Sequence, residues 1–144
     1  GAEPDLRSQA TAMQHGIDIS DLQARQVVLS DFAEYDYIVT MDRENLDNLL
    51  RIQPQNSSAE LSLLLEHSQQ WRGQEVPDPY YGGDRGFEDV FAKVEGGCKG
   101  LLVHILIWFI WSNSSSHIPY RLYILILPSY RCLFILRPFQ CLRC

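Results

Sequence analysis

Apolar side chains recur at three- and four-residue spacing through Phe87, Val90, Phe91, Val94, Cys98, Leu101, Leu102 and Ile105, the most regular pattern in the chain. That spacing predicts a helix with one face packed on a sheet, and it makes Cys98 a small buried hydrophobe rather than a nucleophile. Past Ile105 the pattern fails, because LIWFIW is apolar all round. Near the other end a helix is predicted from about Asp5 to His15, with Leu6, Ala10 and Met13 on one side and Gly16 as its stop. A connector runs to Ser20, a short helix is expected over residues 21–27, and Ser30 to Phe32 reads as a capped turn. EYDYIVTMD, Glu34 to Asp42, predicts a strand around Tyr37, Ile38 and Val39. Asp42 then caps a helix in which Leu46, Leu49 and Leu50 share a face, ended by Pro54 and the polar run Asn56 to Ser58. Ala59 to His67 carries a continuous apolar run at Leu63 to Leu65, which suits a buried parallel strand, although a short helix fits the same run. Helix, strand, helix, strand, loop, helix is the order of an open α/β sheet with parallel strands, whose ligands bind at the carboxyl ends of the strands.

The candidate chemistry lies in the loop after the second strand, VPDPYYGG, Val76 to Gly83. Pro77 and Pro79 fix their own φ and push the preceding residues out of the helical region, so Asp78 is expected on a stiff, extended loop. Gly82 and Gly83 permit a tight turn. A carboxylic acid beside two aromatic rings can protonate a leaving oxygen while the rings wall in an aryl group. The plainer alternative is a surface turn whose tyrosines pack the loop down.

Composition divides the chain in two. All 18 acidic residues and seven of the 12 basic ones fall in residues 1–95, which therefore carry a net charge of −11, whereas the remaining 49 residues hold five basic side chains and no acidic one. The length suits one domain with a real core, and the overall charge of −6 argues against nucleic acid as a partner. No apolar stretch opens the chain and all four cysteines lie late, which points to a cytoplasmic protein with reduced thiols. The start at Gly1, in what reads as mid-domain sequence, points to a fragment or processed product. His15, His67, His104 and His117 show no metal spacing, and Arg25 is expected in a structural ion pair, with a phosphate contact as the alternative.

Taken in order, HGIDIS (His15 to Ser20), ARQV (Ala24 to Val27), DFAEYDYIVTMDRENL (Asp31 to Leu46), VPDPYYGG and GFEDVFAKVEGGCKGLLVHI (Gly86 to Ile105) resemble the low-molecular-weight protein-tyrosine phosphatases. The resemblance covers about residues 5 to 105. It implies a flavodoxin-like, three-layer α/β fold with a parallel sheet and hydrolysis of phosphotyrosine in a protein partner through a cysteinyl-phosphate intermediate. Under it Asp78 is the general acid, Tyr80 and Tyr81 flank the substrate ring, and neither metal nor other cofactor is needed. The family's nucleophile sits in a C-x5-R-[ST] loop, whose backbone N–H groups and arginine cradle phosphate and lower the thiol pKa. No such pattern occurs in these 144 residues: six positions after Cys98 stands His104, and Arg137 follows Cys132 one place too early. By the resemblance the first two strands and the phosphate loop are absent, and Leu22 stands where the family commonly has a histidine supporting that loop. The expectation is an inactive partial phosphatase domain over residues 1–105 with an unpaired apolar sheet edge, prone to self-association.

Residues 106–144 do not resemble the family and are expected to be a separate hydrophobic, Arg-containing tail. Three readings stand: sequence without selected function, an interfacial membrane attachment through segments too short to span, or a metal or redox role for Cys141 and Cys144, for which a single terminal CxxC is a weak signal. Membrane contact is the lesser expectation beside the first. A non-catalytic interaction or membrane-associated module is the alternative for the chain as a whole.

Overall fold

The computed structural model describes residues 1–111 and 122–124, except the side chains of Asp84, Phe109, Ile110 and the last three. Its elements are α1 (Leu6–Gln14), α2 (Asp31–Glu34), β1 (Tyr37–Thr40), α3 (Arg43–Ile52), β2 (Glu60–Leu63), α4 (Gly86–Trp111) and β3 (Leu122–Ile124). Three short 3-10 turns, Leu64–His67, Pro79–Tyr81 and Gly83–Arg85, lie between β2 and α4.

The sheet is parallel throughout, in the order β2-β1-β3. All four residues of the central strand β1 are buried, as a strand covered on both faces requires. Its alternation sorts two cores. Tyr37, Val39 and Met41 pack with Leu64, Leu65, Val76, Cys98, Leu101 and Ile105, under α4. Ile38 packs the other way, with Phe32 of α2, Leu49 of α3 and Ala59. Helices on both faces of a parallel sheet make a three-layer α/β architecture.

Local signals end the helices as the sequence predicts. The N–H of Gly16, at φ +76°, donates to the Met13 carbonyl and the N–H of Ile17 to that of Ala12, which closes α1 with a Schellman motif. The Asp42 carboxylate accepts from the Asn45 N–H at 2.7 Å and starts α3.

Several expectations are corrected. Residues 21–27 form no helix; the segment is held by outside partners, with the Ala24 N–H donating to the Ala2 carbonyl and the Arg25 guanidinium gripping Asp31. On α1 the buried residue is Ala12, whereas Leu6 and Met13 are exposed, and on α3 Leu50 also faces solvent. The second strand stops at Leu63, because Leu64 and Leu65 are both buried in the core under α4, which consecutive strand residues cannot be. The edge of β1 expected to be unpaired is occupied by β3, with Tyr37, Ile38 and Val39 in register with Leu122, Tyr123 and Ile124. Cys132, Cys141 and Cys144 lie outside the described residues, as does His117.

Three glycines let α4 lie directly on the turn after β2. A Cβ at Gly97 would stand 2.5 Å from Leu64 Cγ, one at Gly96 2.6 Å from the Trp71 ring, and one at Gly100 1.8 Å from the His67 carbonyl oxygen. Each glycine costs helix stability, about 1 kcal/mol relative to alanine, and the missing side chain lets the helix close on the His67 backbone at Gly100 and on the Leu64 and Trp71 side chains at Gly97 and Gly96.

Candidate active site

The loop bearing Asp78 is fastened at the carboxyl end of β1, where the Val76 N–H donates to the Met41 carbonyl at 2.9 Å and the Val76 side chain is buried. From there Pro77 carries the chain outward. Asp78 adopts φ −69° and ψ 121°, the extended geometry that a following proline imposes, and caps the Pro79–Tyr81 turn by accepting from the Tyr80 N–H at 2.9 Å. The residue as a whole is half-buried. Pro79 is buried and closes the loop against α4 so tightly that a Cβ at Gly86 would meet the Pro79 carbonyl oxygen at 2.3 Å.

The two tyrosines are not equivalent. Tyr81 is 91% exposed, whereas Tyr80 turns back onto α1. The Tyr80 hydroxyl donates to Asp5 Oδ2 at 2.6 Å, and the Arg7 guanidinium lies over both the Tyr80 ring (4.4 Å) and the Phe87 ring (4.6 Å). Those two rings meet edge to face at 6.0 Å. The shared proton has the expected electrostatic signature: the bond from Tyr80 holds the Asp5 carboxyl below its ordinary value, and Asp5 raises the Tyr80 phenol. Asp5 and Arg7 are not apparent as loop contacts from sequence, since nothing in P-D-L-R points to a residue more than 70 positions away.

Arg25 makes the structural ion pair. Its guanidinium binds Asp31 through two bonds of 2.8 and 2.7 Å, and the same carboxylate accepts the Val28 N–H, also at 2.8 Å. His15 stacks on Phe91 at 4.0 Å and meets Glu88 at 3.0 Å. Leu22 is half-buried.

A shallow cavity of about 450 Å³ lies between the turn after β2 and the second half of α4, lined by His67, Arg72, Gly100, His104 and their neighbours. It belongs to the other end of the sheet, since His104 packs on Tyr37 and approaches Glu60, the first residues of β1 and β2. Burial and then the neighbouring His104 hold His67 below its ordinary pKa, and its Nε2 sits 3.0 Å from Ser62 Oγ. Among the described residues no group of three His, Cys, Asp or Glu side chains is placed to hold a metal ion, and no helix is long and apolar enough to cross a membrane.

Against known proteins, the family model described as low molecular weight phosphotyrosine protein phosphatase matches residues 1–106. The low molecular weight phosphotyrosine protein phosphatase of Schizosaccharomyces pombe is 39% identical over 94 residues, covering 65% of this chain and 60% of its own. The Homo sapiens protein of the same name is 38% identical over 104 residues, covering 71% and 65% respectively. These 144 residues therefore align to less than two thirds of the length of either relative. Among solved structures, a protein tyrosine phosphatase from Entamoeba histolytica, with Hepes in its active site, superposes with a TM-score of 0.68 at 31% identity over 76% of this chain and 69% of that one.

Proposed function

The chain belongs to the low molecular weight phosphotyrosine protein phosphatase family, and from that premise we propose that it carries the proton-donating half of a phosphotyrosine hydrolase. In this reading Asp78 protonates the leaving phenolate oxygen. Such an acid is needed because a tyrosine phenolate, whose conjugate acid has a pKa of about 10, leaves slowly without a proton. Tyr80 and Tyr81 border the substrate ring, and the substrate is a phosphotyrosine-bearing protein. The nucleophile is a thiolate in a C-x5-R-[ST] loop that these 144 residues do not contain, so the chain by itself does not turn over. Residues 1–105 hold the family-like part of the domain, and the segment 106–144 adds to it the last turns of α4 and the strand β3; the protein works in the cytoplasm and without a cofactor.

One observation carries this reading: Asp78 sits on a proline-fixed loop tied to the carboxyl end of the central strand, where parallel α/β sheets place their ligands. The experiment joins a C-x5-R-[ST] segment upstream and measures p-nitrophenyl phosphate and phosphotyrosine-peptide turnover. Activity is expected in the joined protein, with Asp78→Asn lowering kcat on the phosphotyrosine peptide by about 10² or more. Family-like turnover by the 144-residue chain alone, lost on Asp78→Asn, would overturn the claim that its nucleophile lies elsewhere.

A second reading, a non-catalytic interaction or membrane-associated module, is favoured by the last turns of α4. There Val103, Leu106, Ile107, Trp108 and Trp111 are exposed where a surface helix ordinarily carries charge. Sedimentation with anionic liposomes, abolished by removing residues 106–144, would favour it over catalysis.

A further inference from the structure

We propose that Asp5 and Arg7 are positioning residues for the acid loop, fixing where Asp78 is presented by gripping Tyr80 from the first turn of α1. This rests on the reading of Asp78 as the acid.

The mechanical chain is short. The Asp5 carboxylate caps α1 by accepting the Arg7 N–H at 2.9 Å on Oδ1, which orients Oδ2 toward the Tyr80 hydroxyl. Arg7 is held in turn by its own Nε contact to Asp5 Oδ1 at 3.3 Å. Its planar guanidinium covers Tyr80 and Phe87 together, and Phe87 belongs to the first turn of α4. Tyr80 is therefore held by its hydroxyl, by one ring face and by its ring edge, from two helices. Because the Tyr80 N–H donates to Asp78 Oδ1, a shift of Tyr80 is passed on to the carboxylate. A merely packed tyrosine would need none of this polar geometry, and neighbouring Tyr81 stands in solvent. Of the pair, Tyr80 is the anchored ring and Tyr81 the solvent-exposed one.

Amide hydrogen exchange on the full 144-residue chain tests the assignment. Arg7→Ala is expected to speed exchange at Tyr80, Tyr81 and Gly82 about two- to fivefold, the scale of one exposed cation–π contact, while Ile38 and Val39 in β1 keep their rates. Arg7→Lys should not restore protection, since an ammonium group cannot stack over two rings. Tyr80→Phe, which keeps the ring and removes only the hydroxyl, should speed the same amides less than Arg7→Ala, and Asp5→Asn should lower the Tyr80 phenol in a spectrophotometric titration. Loop rates that stay unchanged in both Arg7→Ala and Tyr80→Phe, or that rise only in step with β1, would overturn the proposal. None of these readouts uses turnover. If Asp78→Asn proved silent in the joined enzyme, the acid reading would fail while the exchange result stood, so the two failures are distinguishable.

Discussion

At the scale of single residues, burial decides which charges matter. Asp31 is 2% exposed and accepts three hydrogen bonds, two from Arg25 and one from the Val28 N–H. Arg25→Ala would leave that carboxylate largely unpaired inside the protein. A fully buried pair broken this way costs about 3–5 kcal/mol; because the Arg25 side chain is 37% exposed, the expected loss is about 2–3 kcal/mol in urea unfolding. Arg25→Lys should recover only part of it, since the fork is lost. His67 makes a prediction of different sign. Its folded pKa lies below the ordinary 6.5 because burial, and then His104, disfavour its charged form, while Glu60 and Glu66 oppose the shift and Arg72 adds to it. The unfolded chain thus binds the proton more readily. The stabilisation is complete above pH 6.5 and is lost as the pH falls through the lower, folded value. Urea midpoints measured from pH 7.5 down to 5 should decline, and His67→Gln should flatten that decline. A midpoint rising toward acid would show that the carboxylates win instead.

At the scale of elements, the seam between α4 and the turn Leu64–His67 is set by backbone proximity. On helix propensity alone Gly100→Ala would stabilise by about 1 kcal/mol. With its Cβ 1.8 Å from the His67 carbonyl oxygen, the helix must lift off the turn, and a net destabilisation of about 1–3 kcal/mol is expected. Thermal unfolding of Gly100→Ala checks this: a Tm below that of the parent chain is expected, and a higher Tm would show that helix propensity outweighs the contact. Gly96, Gly97 and Gly100 stand in the most regularly patterned helix of the chain. Their role was not legible there, because the residue that approaches Gly100 lies 33 positions upstream. The same limit applies to residues 21–27, where a plausible helical run yielded to Arg25 and Ala24 finding partners in Asp31 and Ala2.

At the scale of the whole molecule, β3 changes the expected association. The central strand has neighbours on both sides, and among the described residues exposed apolar side chains include Leu6 and Met13 on α1 and Val103, Ile107, Trp108 and Trp111 on the last turns of α4. Removing residues 112–144 would uncover the second edge of β1, and a row of unpaired strand N–H and C=O groups is a template for another chain. Light scattering coupled to size-exclusion chromatography should therefore show the shortened chain associating at lower concentration than the full one. Improved dispersity after the deletion would mean that the segment contributes more exposed apolar surface than it covers.

The sequence by itself determined the succession of α1, β1, α3, β2 and α4, the capping residues Asp42 and Gly16, the burial of Cys98, and the proline-fixed extension of Asp78. These depend on neighbours within a few positions or on a periodicity that one element carries alone. The ordered blocks of residues also sufficed to reveal the family. Only the tertiary structure decided which tyrosine is anchored, which face of α1 is exposed, why α4 needs its glycines and what lies beside β1. Each of those depends on contacts between residues tens of positions apart, and a local pattern of hydrophobic and polar positions does not encode the partner it will meet.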